Sequence, residues 1–129
     1  MDGKFEGKSI LVVDDDTDIL TAIEMVMKES GAAVLTATDG NTAVKLAEEQ
    51  EPDLLILDAM LPQRSGFLVL EKLKAKKPKG SKPHVIMITA NTGKRHQAWA
   101  TSLGAEAYIN KPFAMEKLMA AVEKVLLQD

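Results

Sequence analysis

Five residues at four points along the chain are of types that can do chemistry together: Asp14 and Asp15 after one aliphatic run, Asp58 after a second, Thr89 after a third, and Lys111 after the short segment Tyr108-Ile109-Asn110. Three carboxylates brought within a few ångströms of one another repel strongly and raise each other's pKa unless a cation joins them. A hard divalent ion is therefore implied. An all-oxygen ligand set, with neither His nor Cys, favours Mg²⁺, which keeps some waters and leaves room for phosphate oxygens. A hydroxyl and an ammonium facing that ion are what a phosphoryl group needs, because its transfer depends on positioning and on neutralising its oxygens. An Asp at a strand end can also simply begin a loop. The grouping is therefore only as good as the fold that would assemble it.

The elements around these residues supply that fold. Leu54-Leu55-Ile56-Leu57 has four aliphatics without polar alternation, the pattern of a strand buried on both faces in a parallel sheet, and Asp58 ends it. Ile10-Leu11-Val12-Val13, within Ser9 to Val13, repeats the pattern and stops at Asp14-Asp15-Asp16. Asp16 or Thr17 can cap a helix whose Ile19, Leu20, Ile23, Val26 and Met27 fall at helical spacing, with Gly31 at its end. Ala33 to Ala37 reads as a strand, Asp39-Gly40 as a turn, and Asn41 to Glu51 as a helix stopped by Pro52. After a loop from Pro62 to Gly66 come a helix over Phe67 to Lys77, a strand at Val85 to Ile88, a helix over Thr92 to Leu103, and a weaker strand at Tyr108 to Asn110. The last helix follows Lys111-Pro112-Phe113, with Leu118, Val122 and Val125 inward. Five strands alternating with five helices predict an α/β fold, a doubly wound five-stranded parallel sheet. In such a sheet all strand C-termini open on one edge, which is where the acids, Thr89 and Lys111 would meet.

Composition narrows the classes. At 129 residues the chain is one domain with a core of its own, and it has no cysteine, so disulfides and thiolate metal sites are excluded. No apolar run approaches the ~20 residues of a membrane span. Residues 1–8 lack the apolar stretch of a signal peptide, and a cytoplasmic location is expected. A net charge of -3 and 4% aromatics argue against direct nucleic-acid or anionic-membrane binding. The lysine-rich segment from Lys72 to Pro83 reads as a solvated helix end and loop, with cations placed favourably for the helix dipole.

The blocks Ile10 to Asp16, Leu57-Asp58-Ala59-Met60-Leu61-Pro62 with Gly66 four residues on, Ile88-Thr89-Ala90, and Tyr108 to Phe113 resemble, in this order and spacing, the receiver domains of bacterial two-component response regulators. The resemblance implies a flavodoxin-like (β/α)5 fold with strand order 2-1-3-4-5. It implies that Asp58 is the phosphoacceptor, served by a sensor histidine kinase or phosphotransfer protein of a phosphorelay. Asp15 would bind Mg²⁺ directly, Asp14 directly or through water, and the Met60 backbone carbonyl would be a further ligand. Lys111 would pair with the phosphoryl oxygens, with a cis Lys111-Pro112 bond. Thr89 would swing toward the phosphoryl group and Tyr108 would follow it inward. The output would be a shift in the face of helix four, strand five and helix five, toward a downstream protein or self-association. The chain would then be a switch that is not an enzyme in the turnover sense. It would comprise residues 1–8 as an N-terminal extension and 9–129 as a single receiver domain without an effector domain.

Met60 and Asn91 occupy the positions that vary most around the site in that family. Neither offers a carboxylate to orient an attacking water, so slow phosphoryl loss is expected. His84 and His96 are read as surface residues. Trp99 is either core or an anchor for a partner. The rival is a Mg²⁺-dependent phosphatase of the haloacid dehalogenase type with Asp14 as nucleophile, since Asp14-Asp15-Asp16-Thr17 also fits Asp-x-Asp-x after a strand. That reading needs a later pair of acids at a strand end, which the sequence does not offer. A flavin or nucleotide binder would need a glycine-rich first turn, and none is present.

Overall fold

The computed structural model describes residues 3–75, 77–78, 81–90 and 93–127. Strands β1 (Ser9–Val13), β2 (Ala33–Ala37), β3 (Leu54–Asp58), β4 (His84–Thr89) and β5 (Ala107–Asn110) alternate with helices α1 (Thr17–Glu29), α2 (Gly40–Gln50), α3 (Gly66–Lys74), α4 (Lys94–Leu103) and α5 (Met115–Leu126). The sheet is parallel, in the order β2-β1-β3-β4-β5. β3 and nearly all of β1 and β4 are buried, as expected for strands covered on both faces. One core layer joins Leu11, Val13, Leu55, Leu57, Val85 and Met87 to α2, α3 and α4; the other joins Ile10, Val12, Ile56, Ile86 and Ile88 to α1 and α5. Alternate residues of each strand thus feed opposite layers.

Helix starts follow their caps. Asp16 accepts from the Asp18 and Ile19 amides, Asp39 from Thr42, and Ser65 from Leu68. Asp39, expected in a turn, is therefore the cap of α2, and Glu51 ends that helix in the left-handed conformation.

Three sequence expectations need correction. Helix α3 stops at Lys74, three residues before Lys77, where the Ala75 backbone turns extended (ψ 134°); Lys74 itself turns inward, its Nζ donating to the carbonyls of Ser81 and Pro83, and the residue is 9% exposed. The lysine-rich end of α3 is thus not uniformly solvated. His84 and His96 are both half-buried; His84 Nδ1 lies 2.7 Å from Glu106 Oε2, and His96 packs on the Phe67 ring. The start of α4 is Lys94; Asn91 and Thr92 lie outside the described residues.

Residues 3–8 are integrated into the fold. Phe5 is fully buried in the α1/α5 layer, its amide donates to Ser30 O at 2.7 Å, and Lys4 Nζ pairs with Glu123 on α5 at 2.9 Å. An apolar ring on a short polar segment gave no periodic signal to reveal this.

Candidate functional site

At the carboxyl edge of the sheet, β1 ends in Asp14, which is fully buried, and β3 ends in Asp58, which is 3% exposed. Asp14 Oδ1 accepts from the Asp16 amide at 2.9 Å, so the acidic turn folds back on its own first carboxylate and leaves Asp15 exposed. Asp58 Oδ1 accepts from the Met60 amide at 3.0 Å. The remaining oxygens face the Lys111 ammonium, which lies 2.9 Å from Asp14 Oδ2 and 3.0 Å from Asp58 Oδ2. The contact to Asp58 is a hydrogen bond; Asp14 Oδ2 is an ion-pair partner but is buried without a hydrogen bond.

Lys111 is held there by its backbone, whose amide donates to Thr89 O at 2.8 Å. The Lys111-Pro112 bond is cis, as the resemblance implied, and the Lys82-Pro83 bond is cis as well. Burial, opposed by the Met60 and Lys111 hydrogen bonds and reinforced by the charge of Asp14, raises the Asp58 pKa to about 6. The two carboxylates raise the pKa of Lys111, against the effect of its own burial.

Thr89 ends β4 fully buried, and Tyr108 on β5 is half-buried against the α2/α3/α4 layer. Met87 pairs with Tyr108 and Thr89 with Asn110, so Thr89, two residues beyond Met87, shares a sheet face with Tyr108. Burial raises the Tyr108 pKa.

Two glycines frame the loop after Asp58. A Cβ on Gly66 would meet Asp58 O at 2.2 Å, and one on Gly40 would meet Arg64 O at 1.9 Å. The Gly66 amide donates to Ala59 O at 2.9 Å, and the Gly40 amide to Pro62 O at 3.2 Å. Sequence reading places both glycines in turns; their close approach to the loop after Asp58 is a tertiary fact. Met60 projects into solvent from this loop. Trp99 is 46% exposed and stacks on Phe67, with centroids 4.5 Å apart and planes 6° from parallel, so it is a surface residue packed on α3.

One oxygen or more from each of Asp14, Asp15 and Asp58 can come within 4.8 Å of the others, a spacing at which one cation can join them. Comparison with known proteins settles the class. A family model described as the response regulator receiver domain matches residues 10–123. The chain belongs to the response regulator receiver domains. Receiver domains are signalling switches that work with histidine kinases or phosphotransfer proteins. The alkaline phosphatase synthesis transcriptional regulatory protein PhoP of Bacillus subtilis (strain 168) is 38% identical over 119 residues, 92% of this chain and 48% of its own. This chain thus spans about half the length of that relative. A CheY-like receiver domain protein from Methanospirillum hungatei superposes with a TM-score of 0.86 at 30% identity, over 94% of each chain. The receiver domain of the sensor histidine kinase PA1611 from Pseudomonas aeruginosa PAO1, solved with a magnesium ion coordinated in its active site cleft, does so with a TM-score of 0.82 at 28% identity, over 95% of this chain and 99% of that one. The phosphatase alternative has no such support, and Asp14, its nucleophile, is a buried side chain engaged with Asp16 and Lys111. No helix among the described residues is long and apolar enough to cross a membrane.

Proposed function

We propose that Asp58 accepts a phosphoryl group from the phosphohistidine of a sensor histidine kinase or phosphotransfer protein, and that the modified domain signals through α4, β5 and α5 to a downstream protein or a second copy. The observation that carries this reading is the Asp58 carboxylate at the end of β3, with one oxygen on the Met60 amide and the other on Lys111. The setting is a cytoplasmic phosphorelay, without direct contact to nucleic acid or membrane.

The chemistry of the acids fits Mg²⁺. Asp14, Asp15 and Asp58 offer clustered oxygens, and the buried Asp14 Oδ2 has acceptor capacity to spare. These three residues, with the Met60 backbone carbonyl, would hold the ion, as the magnesium-bound relative supports. When bound, Mg²⁺ supplies positive charge against the phosphoryl oxygens.

An Asp58 oxygen then forms the bond to phosphorus as the bond from phosphorus to the donor imidazole nitrogen breaks. Lys111, already beside Asp58 Oδ2, pairs with the transferred oxygens. The modification adds about -1.5 to -2 charge at this point. Thr89 turns its hydroxyl toward the new oxygens, and Tyr108, on the same face, moves into the space released. The domain is thus a switch whose only chemistry is on itself: acceptance and later hydrolysis. An apolar Met60 orients no water, which supports slow hydrolysis. Intact mass after treatment with acetyl phosphate and Mg²⁺, with peptide mapping, tests the reading. Addition of one phosphoryl group at Asp58 is expected; a modified residue elsewhere would overturn it.

A further inference from the structure

On the α2/α3/α4 side of the sheet, a groove of about 890 Å³ runs between the end of α3 and the length of α4. Lys74, Lys77 and Lys94 line it together with Gln97, Ala98 and Leu103, and no carboxylate is among its described lining residues. In a chain of net charge -3 this is a local reversal of sign. None of the lining residues belongs to the aspartate site.

Two features leave this positive charge poorly compensated. Lys74 is buried and has two backbone carbonyls as its hydrogen-bond partners, with no carboxylate paired to it among the described residues. The opposing charge that acts on it is that of Glu106, which is itself hydrogen-bonded to His84. At the other end of the groove, Gly93 provides no side-chain cap for α4, and the first turn carries Lys94 and Arg95 but no acid. Cations there oppose the positive end of the helix dipole.

We propose that this groove docks an acidic segment of a partner protein, its carboxylates meeting Lys77 and Lys94 and its apolar side chains lying against Ala98 and Leu103. The ten residues of α4 extend ~15 Å at ~1.5 Å each, a length that about five extended residues cover. A nucleic-acid strand fits less well. The stacking ring it would need, Trp99, faces Phe67 and does not line the groove.

The test uses the full chain, with Trp99, its one tryptophan, as reporter. A blocked peptide of sequence Glu-Leu-Glu-Glu-Leu-Glu is titrated at low salt, with fluorescence and amide chemical shifts over 94–104 as readouts. Saturable binding is expected. Lys77→Glu combined with Lys94→Glu should weaken it by roughly tenfold or more, as should raising the salt. Both lysines are exposed, so the variant folds, and Lys28→Glu on α1 serves as the unaffected control. Absence of saturation, unchanged affinity in the double variant, equal binding of the Gln-for-Glu peptide, or tighter binding of a thymidine oligonucleotide would each overturn the proposal.

Discussion

Lys111 Nζ lies 3.0 Å from Asp58 Oδ2, a contact made across 53 residues of chain. The cation that would receive the phosphoryl oxygens is therefore on the acceptor beforehand, and it divides its charge with Asp14 at 2.9 Å. One ammonium facing two buried carboxylates, with Asp15 beside them, leaves the cluster net negative.

The acceptor and its neighbours should separate by substitution. Asp58→Asn should abolish phosphorylation by acetyl phosphate, whereas Asp14→Asn should only slow it, because under the proposed function one carboxylate would bond to phosphorus and the other would help hold the ion. Time courses of intact mass would show this. A stable phosphoryl group on Asp14 would restore the phosphatase reading.

The raised pKa of Asp58 sets a pH dependence. Its proton is bound more tightly in the folded chain, so without metal its contribution to stability is full below the unfolded value of ~4. The contribution is lost as pH rises through about 6. At neutral pH in EDTA, Asp58→Asn should thus be more stable than wild type by on the order of 1 kcal/mol, and the gap should close toward pH ~4. Denaturant melts across this range measure it; a less stable Asn variant at neutral pH would mean that the Lys111 pair outweighs burial and repulsion.

Mg²⁺ should reverse that order. Binding to the folded form alone stabilises wild type by about 2.7 kcal/mol at a hundredfold excess over Kd. Asp15→Asn, which removes one exposed negative charge from the cluster, should gain less from the ion while being no less stable than wild type in EDTA. Equal gains in both proteins would remove Asp15 from the metal site.

Thr89→Ala should still be phosphorylated but fail to respond. The hydroxyl is buried on the same face as Tyr108, so its loss leaves Asp58 and Lys111 in place. Amide shifts in β5 and α5 on phosphorylation should be large in wild type and small in the variant. Equal shifts would show that the response takes another route.

Phe5→Ala should cost about 3–5 kcal/mol, the range for emptying a buried aromatic site. A thermal melt is sufficient. A loss below 1 kcal/mol would show that residues 3–8 are only loosely attached.

The strands and the acids were legible because both depend on local pattern. Four aliphatics before Asp58 fit a strand buried on both faces, and the acid triplet from Asp14 fits the turn after another. Four features were not legible, and each depends on distant partners. Lys74 lies in a lysine run that reads as solvated, yet carbonyls across the next loop draw it in. Phe5 shows no periodicity. The Phe67 and Trp99 stack joins residues of two helices. The division of Lys111 between two carboxylates requires three strand ends to be placed at once. Sequence could place that lysine at the carboxyl edge beside the acids, but not show that two of them share it.

The loop that follows Asp58 is held at Gly66 and Gly40 by main-chain hydrogen bonds and by close approach of its backbone. Ala59 and Leu61 also pack on the core, and Gln63 Oε1 accepts from Asn41 Nδ2, but the Met60 side chain takes no part in this hold. Met60, pointing outward, can be exchanged without moving the frame that holds the acceptor. Under the proposed function, a substitution at position 60 should then change signal duration while the fold of the loop stays intact. At positions 40 and 66 the same freedom is closed, since even one methyl group collides with backbone. Under that reading the loop would keep time and structure on separate residues, so a lineage or a designer could change the first without rebuilding the second.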